Sequence, residues 1–176
     1  VQHTTIFSHI NYNEADRMMN LWHDVENKAE ALEATIRPED KDAYFQLVLY
    51  PIKASAGLAE MYYAAGKNNL YAKQGRVSAN DYANKAQALF ELDKKLSNYY
   101  NDSIAGGKWK NMMSDIHIGY EQWSMPKENK LPEMQEVVPL SVPTMGVATE
   151  GCELAWPGST QSAQLPVFDL INNRSY

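Results

Sequence analysis

The stretch NEADRMMNLWHDVENKAEALEATIRPED, residues 13–40, decides the fold. Asn13 is placed to cap a helix. Glu14 and Asp16 follow in the first turn, where carboxylates favour the positive end of a helix. Ala15, Met18, Trp22, Val25, Ala29, Leu32 and Ile36 then recur at alternating steps of three and four. That rhythm predicts a single apolar stripe about six turns long. Asp24, Asn27, Lys28 and Glu30 fall on the opposite, solvent-facing side. Pro38 suits the first position of a second helix, with Glu39 and Asp40 in its first turn.

Further along, Leu47, Pro51, Ala54, Leu58, Met61 and Ala65 keep the same spacing. Pro51 donates no amide and crowds the preceding turn, so it predicts a kink, with a break as the alternative. Gly66 reads as the C-cap of this helix, and 68–74 as a short helical turn or an irregular link. Ser78 and Asp81 open a third helix whose stripe is Ala86, Leu89, Leu92, Leu96 and Tyr99, and Gly106 and Gly107 end it. Residues 108–114 form a candidate fourth, shorter helix, and 117–123 are ambiguous between strand and helix. Three long amphipathic helices with short links pack as an antiparallel bundle. The predicted class is therefore mainly α: three long helices, one or two shorter ones, and a Pro-rich tail containing short β-strands.

The texture changes near Met125. Of eight prolines only Pro38 and Pro51 precede it; the others stand at 126, 132, 139, 143, 157 and 166. This divides the chain into a helical bundle (1–124), a Pro-rich linker (125–144) and short β segments (145–176). Met145–Thr149 and Leu165–Phe168 are the candidate strands. Two strands alone make no stable sheet, so they lean on the bundle or begin a larger β domain.

The 176 residues carry 16 Lys plus Arg against 22 Asp plus Glu, a formal charge of -6. A chain without clustered cations is a poor nucleic-acid binder, and Lys108 and Lys110 around Trp109 are the nearest approach to a cluster. The single Cys152 closes no intrachain disulfide and excludes a CxxC metal site. No apolar run reaches the roughly 20 residues of a membrane span. Residues 1–10 lack the features of a signal peptide, and a chain beginning at Val fits a processed or excised piece.

Chemistry-bearing motifs are scarce in the sequence. His3, His9, His23 and His117 form no HxxxH or HExxH pair, so no metal site is expected. GxSxG, P-loop and GxGxxG motifs are absent. Glu121, Glu150 and Asp169 are acids outside the long helices, but nothing in the sequence brings two of them together as glycoside hydrolysis requires. The segment 109–123 is rich in aromatics around His117. Trp109, His117, Tyr120 and Trp123 are its candidates for sugar contact, against the plainer reading of packed bundle aromatics and a hydrogen-bonded histidine.

Several segments carry a family resemblance together: Tyr12–Arg17, Tyr44–Ala54, Asn69–Arg76, Gly106–Met113, His117–Tyr120, Gly146–Gly151 and Leu165–Asp169. Their order and spacing resemble the region after the catalytic barrel in glycoside hydrolase family 115, the xylan α-1,2-glucuronidases. The resemblance implies a large parent enzyme with a (β/α)8 barrel, this helical bundle, and a C-terminal β-rich domain whose start is the tail of this chain. It implies a parent that removes glucuronic acid or its 4-O-methyl ether from xylan side chains in the periplasm or outside the cell. The family's catalytic acids lie in the barrel, so none is carried onto this chain, and the segment alone is expected to be inactive and to need no cofactor. Its expected partners are the barrel and the C-terminal domain, xylan-derived oligosaccharide through the parent, no nucleic acid and no membrane span, with a homo-oligomer allowed. The bundle would brace the barrel, with 109–123 at a rim of the cleft. The competing reading is an independent carbohydrate- or partner-binding helical module.

Overall fold

Helix α1 (Glu14–Glu33) forms where the stripe places it. The computed structural model describes residues 5–120, 126–141, 145–149, 151–156 and 168–172, the last segment as backbone apart from Ile171. Asn13 stands at the N-cap of α1 but in the left-handed region (φ 50°), and its side chain makes no capping bond. The helix start is tied instead by Glu14, whose carboxylate accepts the Ser8 amide at 2.8 Å, while Ala15 N donates to Ser8 O at 3.0 Å. Ala15, Met19 and Ala29 are the buried positions, whereas Val25 and Leu32, expected in the stripe, are exposed.

A 3-10 turn (Pro38–Asp40) leads into α2 (Lys41–Tyr44), a π-helical turn (Phe45–Leu49) and α3 (Tyr50–Lys73) without interruption. The π-turn answers Pro51. A proline ring crowds the carbonyl four residues back and donates no amide. One widened turn just before it, closed by Tyr50 N donating to Phe45 O, absorbs the mismatch so that the helical run continues.

Two expectations fail here. Gly66 is no C-cap, because it is buried in mid-helix, and 68–74 is no link, because α3 runs on to Lys73. The true stop is Gly75 at φ +67°. Gly75 N donates to Ala72 O and Arg76 N to Tyr71 O, the paired bonds of a Schellman cap. Ser78 occupies the N-cap of α4 (Ala79–Asp102) without a side-chain capping bond. Residues 108–114 form turns rather than a fourth helix, after a 3-10 turn at Ile104–Gly107.

Helix α3 lies between α1 and α4 and runs antiparallel to both. Asp16–Tyr63, His23–Glu60 and Glu30–Lys53 climb α1 as they descend α3. Tyr50–Ser97 and Glu60–Lys85 do the same against α4. Glu60 ties all three helices, at 3.1 Å from His23 and 2.7 Å from Lys85. Burial alone would raise its pKa; Lys85 and then His23 outweigh burial and hold it below the ordinary carboxylate value. The core is built on Met61, Ala64, Ala86 and Ile118, and a second cluster on Ala15, Met19 and Tyr63.

The described part of the Pro-rich stretch, 126–141, lies along the bundle as an extended strap. Leu131 and Met134 pack on the first core cluster. Asn68 pairs with both backbone groups of Gln135, donating to its O at 2.8 Å and accepting from its N at 2.7 Å. Asn80 does the same to Val137 at 2.9 Å in each direction. Residues 135 and 137 are alternate positions of an extended chain, so both present their backbone to the same side.

Strands β1 (Met145–Thr149) and β2 (Phe168–Asn172) pair antiparallel, Met145 opposite Asn172. The second strand begins where the sequence expects it to end, and 165–167 lie outside the described residues. The ribbon is tied to the end of α3 by Lys73–Glu153 at 2.6 Å and by Gln74 Nε2 donating to Cys152 O at 3.2 Å.

Candidate functional site

The sequence singles out Trp109, His117, Tyr120 and Trp123. Trp109 is half-buried, with the Lys108 ammonium 4.9 Å from its ring centre. Tyr120 is exposed and donates its hydroxyl to Ile116 O at 3.1 Å. Trp123 and Glu121 lie outside the described residues, as does Glu150; of Asp169 only the backbone is described. His117 lines a cleft of about 400 Å3, together with Asp93, Ser97, Asn101, Ser114 and Asn129.

Both ring nitrogens of His117 face acceptors. Nε2 lies 2.9 Å from each carboxylate oxygen of Asp93, and Nδ1 lies 2.8 Å from Asp115 O. Two acceptors are satisfied together only by the doubly protonated ring. Burial pulls the His117 pKa down, but the Asp115 carbonyl and then the Asp93 carboxylate overcome it and hold it above the ordinary 6.5. An imidazolium with both N–H groups engaged has no lone pair for a metal or for general-base work. Its geometry is that of a cationic staple joining α4 to the loop before the strap. Asn129 completes the joint by accepting the amides of His117 and Ile118 at 2.8 and 2.9 Å.

The staple predicts a stability profile. A histidine whose folded pKa is raised stabilises fully below its unfolded value and loses that stabilisation as pH climbs through the folded value. His117→Gln is expected to cost about 1–2 kcal/mol at pH 6, since it leaves the Asp93 carboxylate without its cation in a partly solvated cleft. The cost should shrink as pH climbs through the raised folded value. Urea unfolding across pH checks this, and a pH-independent difference would remove the imidazolium from the account.

A second, more polar cavity of about 380 Å3 opens where the N-terminal segment, α1, the end of α3 and the β-ribbon meet. The sequence gives no sign of it. His9, Asp16, Lys67, Tyr71, Gln74 and Thr149 are among its lining residues. Both ring nitrogens of His9, Gln74 Oε1 and Thr149 Oγ1 are buried without a hydrogen-bond partner. Asp16 accepts the Tyr63 hydroxyl at 2.5 Å and the Lys67 ammonium at 3.4 Å. Burial, then the bond to Asp16, raises the Tyr63 pKa and keeps it a phenol. Burial, then the Lys67 charge, lowers the His9 pKa to about 4, so this ring is neutral at pH 7. The lining thus sets one carboxylate, Asp16, beside two cations, the Lys67 ammonium and the Arg76 guanidinium, with a neutral imidazole and amide and hydroxyl side chains.

Among the described residues no group of His, Cys, Asp and Glu is arranged to hold a metal ion. No described helix is long and apolar enough to cross a membrane. No protein-family model and no curated protein matches the chain.

Proposed function

We propose that this chain is a non-catalytic helical domain of a glucuronidase resembling the xylan α-1,2-glucuronidases, one that braces a catalytic barrel built elsewhere in the parent enzyme. The observation that carries the reading is a row of exposed apolar residues on α1, interleaved with the Asp24–Lys28 ion pair. Leu21 (59% exposed), Val25 (43%) and Leu32 (51%) fall on one line of the helix, about a quarter turn from the face that meets α3. Phe7 and Met18 join Leu21 around an adjacent concavity. Full burial of such a side chain is worth about 1.5–3 kcal/mol, and a row of them favours a partner surface over water. The resemblance supplies the identity of that partner, the barrel preceding the bundle. The 109–123 segment belongs to the same proposal as a cleft rim.

Glucuronic acid release from glucuronoxylan fragments tests the reading. Release is expected from a parent enzyme that contains this chain after its barrel, and none from the 176 residues alone once circular dichroism shows them folded. Leu21→Glu with Val25→Glu should leave the isolated chain as stable as before and lower the melting temperature of the parent. Release by the short chain itself would overturn the proposal.

A further inference from the structure

We infer that the segment 5–13 is an acid-released clasp: near neutral pH it sits on α3 through the His9 ring, and on acidification it leaves α3 while the three-helix bundle stays folded. The seat is specific. Glycine at position 66 lets the ring lie directly on the helix backbone, in the space a Cβ would fill, and Tyr63 packs 5.1 Å from it. Both ring nitrogens are buried there, and neither has a hydrogen-bond partner. An imidazolium carries two N–H donors and a charge, so this seat disfavours it far more than the neutral ring. The surrounding charges do not compensate. On α3 the Lys67 ammonium repels a second cation. On α1 Asp16 attracts one, but its carboxylate already accepts from Tyr63 and Lys67. Burial and then Lys67 outweigh Asp16 and hold the His9 pKa at about 4. Farther round the cavities that His9 lines, Lys73 is paired with Glu153, Tyr71 carries Lys67 and Arg76 over its ring, and Glu136 faces in from the strap.

The segment is held lightly enough to leave. Among the described residues its one hydrogen bond to α3 runs from Thr5 N to Tyr62 O, at 3.4 Å. The bonds of Ser8 with Glu14 and Ala15 belong to the turn that opens α1 and need no contact with α3. What remains is the His9 seat and the packing of Phe7 on the Ala15, Met19 and Tyr63 cluster. Proton uptake shifts a docked–released equilibrium by the difference between two proton affinities. With a ring that titrates near 4 when docked and near 6.5 when released, the docked-to-released ratio falls about twentyfold between pH 7 and pH 5, and about a hundredfold by pH 4. His9 and Ile10 line two cavities, of about 880 and 380 Å3, that both reach Leu70. Release joins them into one open trough along α3, so acid uncovers a surface that neutral pH keeps closed. The clasp is independent of the glucuronidase reading, since a bracing domain and a free-standing module could each carry it.

The test is an NMR pH titration of the folded chain from pH 7 down to about pH 3.5. As the His9 ring takes up its proton, its NOEs to Gly66 and Tyr63 should vanish, and the amide signals of 5–10 should move to unfolded-chain positions. Far-UV circular dichroism and the Met61 and Ala86 amide signals should stay native throughout. His9→Phe keeps a flat ring that cannot titrate, and it should hold the segment docked over the whole range. If that variant does not fold, the wild type decides alone, because release must follow the His9 curve with one proton taken up per event. Three outcomes overturn the inference: a protonated His9 with its NOEs intact, release of the segment in His9→Phe at the same pH, or loss of the Met61 and Ala86 signals together with release.

Discussion

Asn68→Ala is expected to destabilise the chain by about 3–5 kcal/mol, the largest loss from any single side chain in the bundle. Asn68 lies in mid-helix with no exposed surface. Its amide nitrogen donates to Ala79 O at 2.9 Å and to Gln135 O at 2.8 Å, and its oxygen accepts Gln135 N at 2.7 Å. One side chain thus joins α3, the start of α4 and the strap. Alanine leaves three backbone groups without this partner and a void where the amide stood, and each orphaned group costs about 1–3 kcal/mol. Asn68→Asp, close in shape, should fare no better, because it has no donor for the two carbonyls and buries a charge. Asn80→Ala removes a single backbone pair from a more accessible place and should cost about 1–2 kcal/mol. Thermal and urea unfolding check the order. A loss at Asn68 no greater than at Asn80 would mean that the strap is held by Leu131 and Met134 rather than by the asparagine.

The long helices were legible because an amphipathic stripe is a local signal, repeated every three or four residues. The stripe failed where packing rolled the helix. In α4 the spacing selects Leu92 and Tyr99, yet both are exposed, and Ser97, Tyr100 and Asn101 are buried instead. Tyr100 stacks against Tyr50 at 4.7 Å, and Asn101 accepts the Met113 amide at 2.8 Å. A polar residue inside a helix reads as solvent-facing, so Asn68, Asn80 and Asn101 give no signal until the strap and the loop they bind are in place. The same blindness hid the polar cavity. His9, the pair of Lys67 on α3 and Gln74 at its C-cap, and Thr149 are far apart in sequence and form no motif, and only the meeting of the N-terminal segment, α3 and the ribbon makes them neighbours. His117 was visible as the polar member of an aromatic segment. Its partner Asp93 was not, because an acid on a helix reads as surface.

Gly66 shows how a long-range contact reverses a local preference. In a helix interior, Gly→Ala ordinarily adds about 0.5–1 kcal/mol of stability. Gly66→Ala is expected to remove about 2–3 kcal/mol instead. A Cβ at this position would collide with the His9 ring at Nε2 and lie 2.8 Å from its Cδ2. The ring packs 5.1 Å from Tyr63 and cannot keep that place once a methyl group occupies the surface of α3 beneath it. The variant must therefore push His9 and its segment off α3. Two further measurements separate that collision from a generic loss. Adding His9→Ala to Gly66→Ala should recover most of the lost stability, because the clash has gone and the helix preference of alanine returns. The pH profile should change as well. Wild-type His9, held to about 4, binds its proton less readily than the unfolded chain, whose histidine titrates near 6.5. The wild type therefore keeps this stabilisation above pH 6.5 and loses it as pH falls to 4. The loss is at most about 3 kcal/mol, and smaller once partial exposure screens it. With His9 expelled, Gly66→Ala should lose that acid sensitivity, and the His9 resonance should titrate near 6.5. A Gly66→Ala protein as stable as the wild type, with His9 still titrating near 4, would show that the helix and the N-terminal segment can part far enough to admit a methyl group.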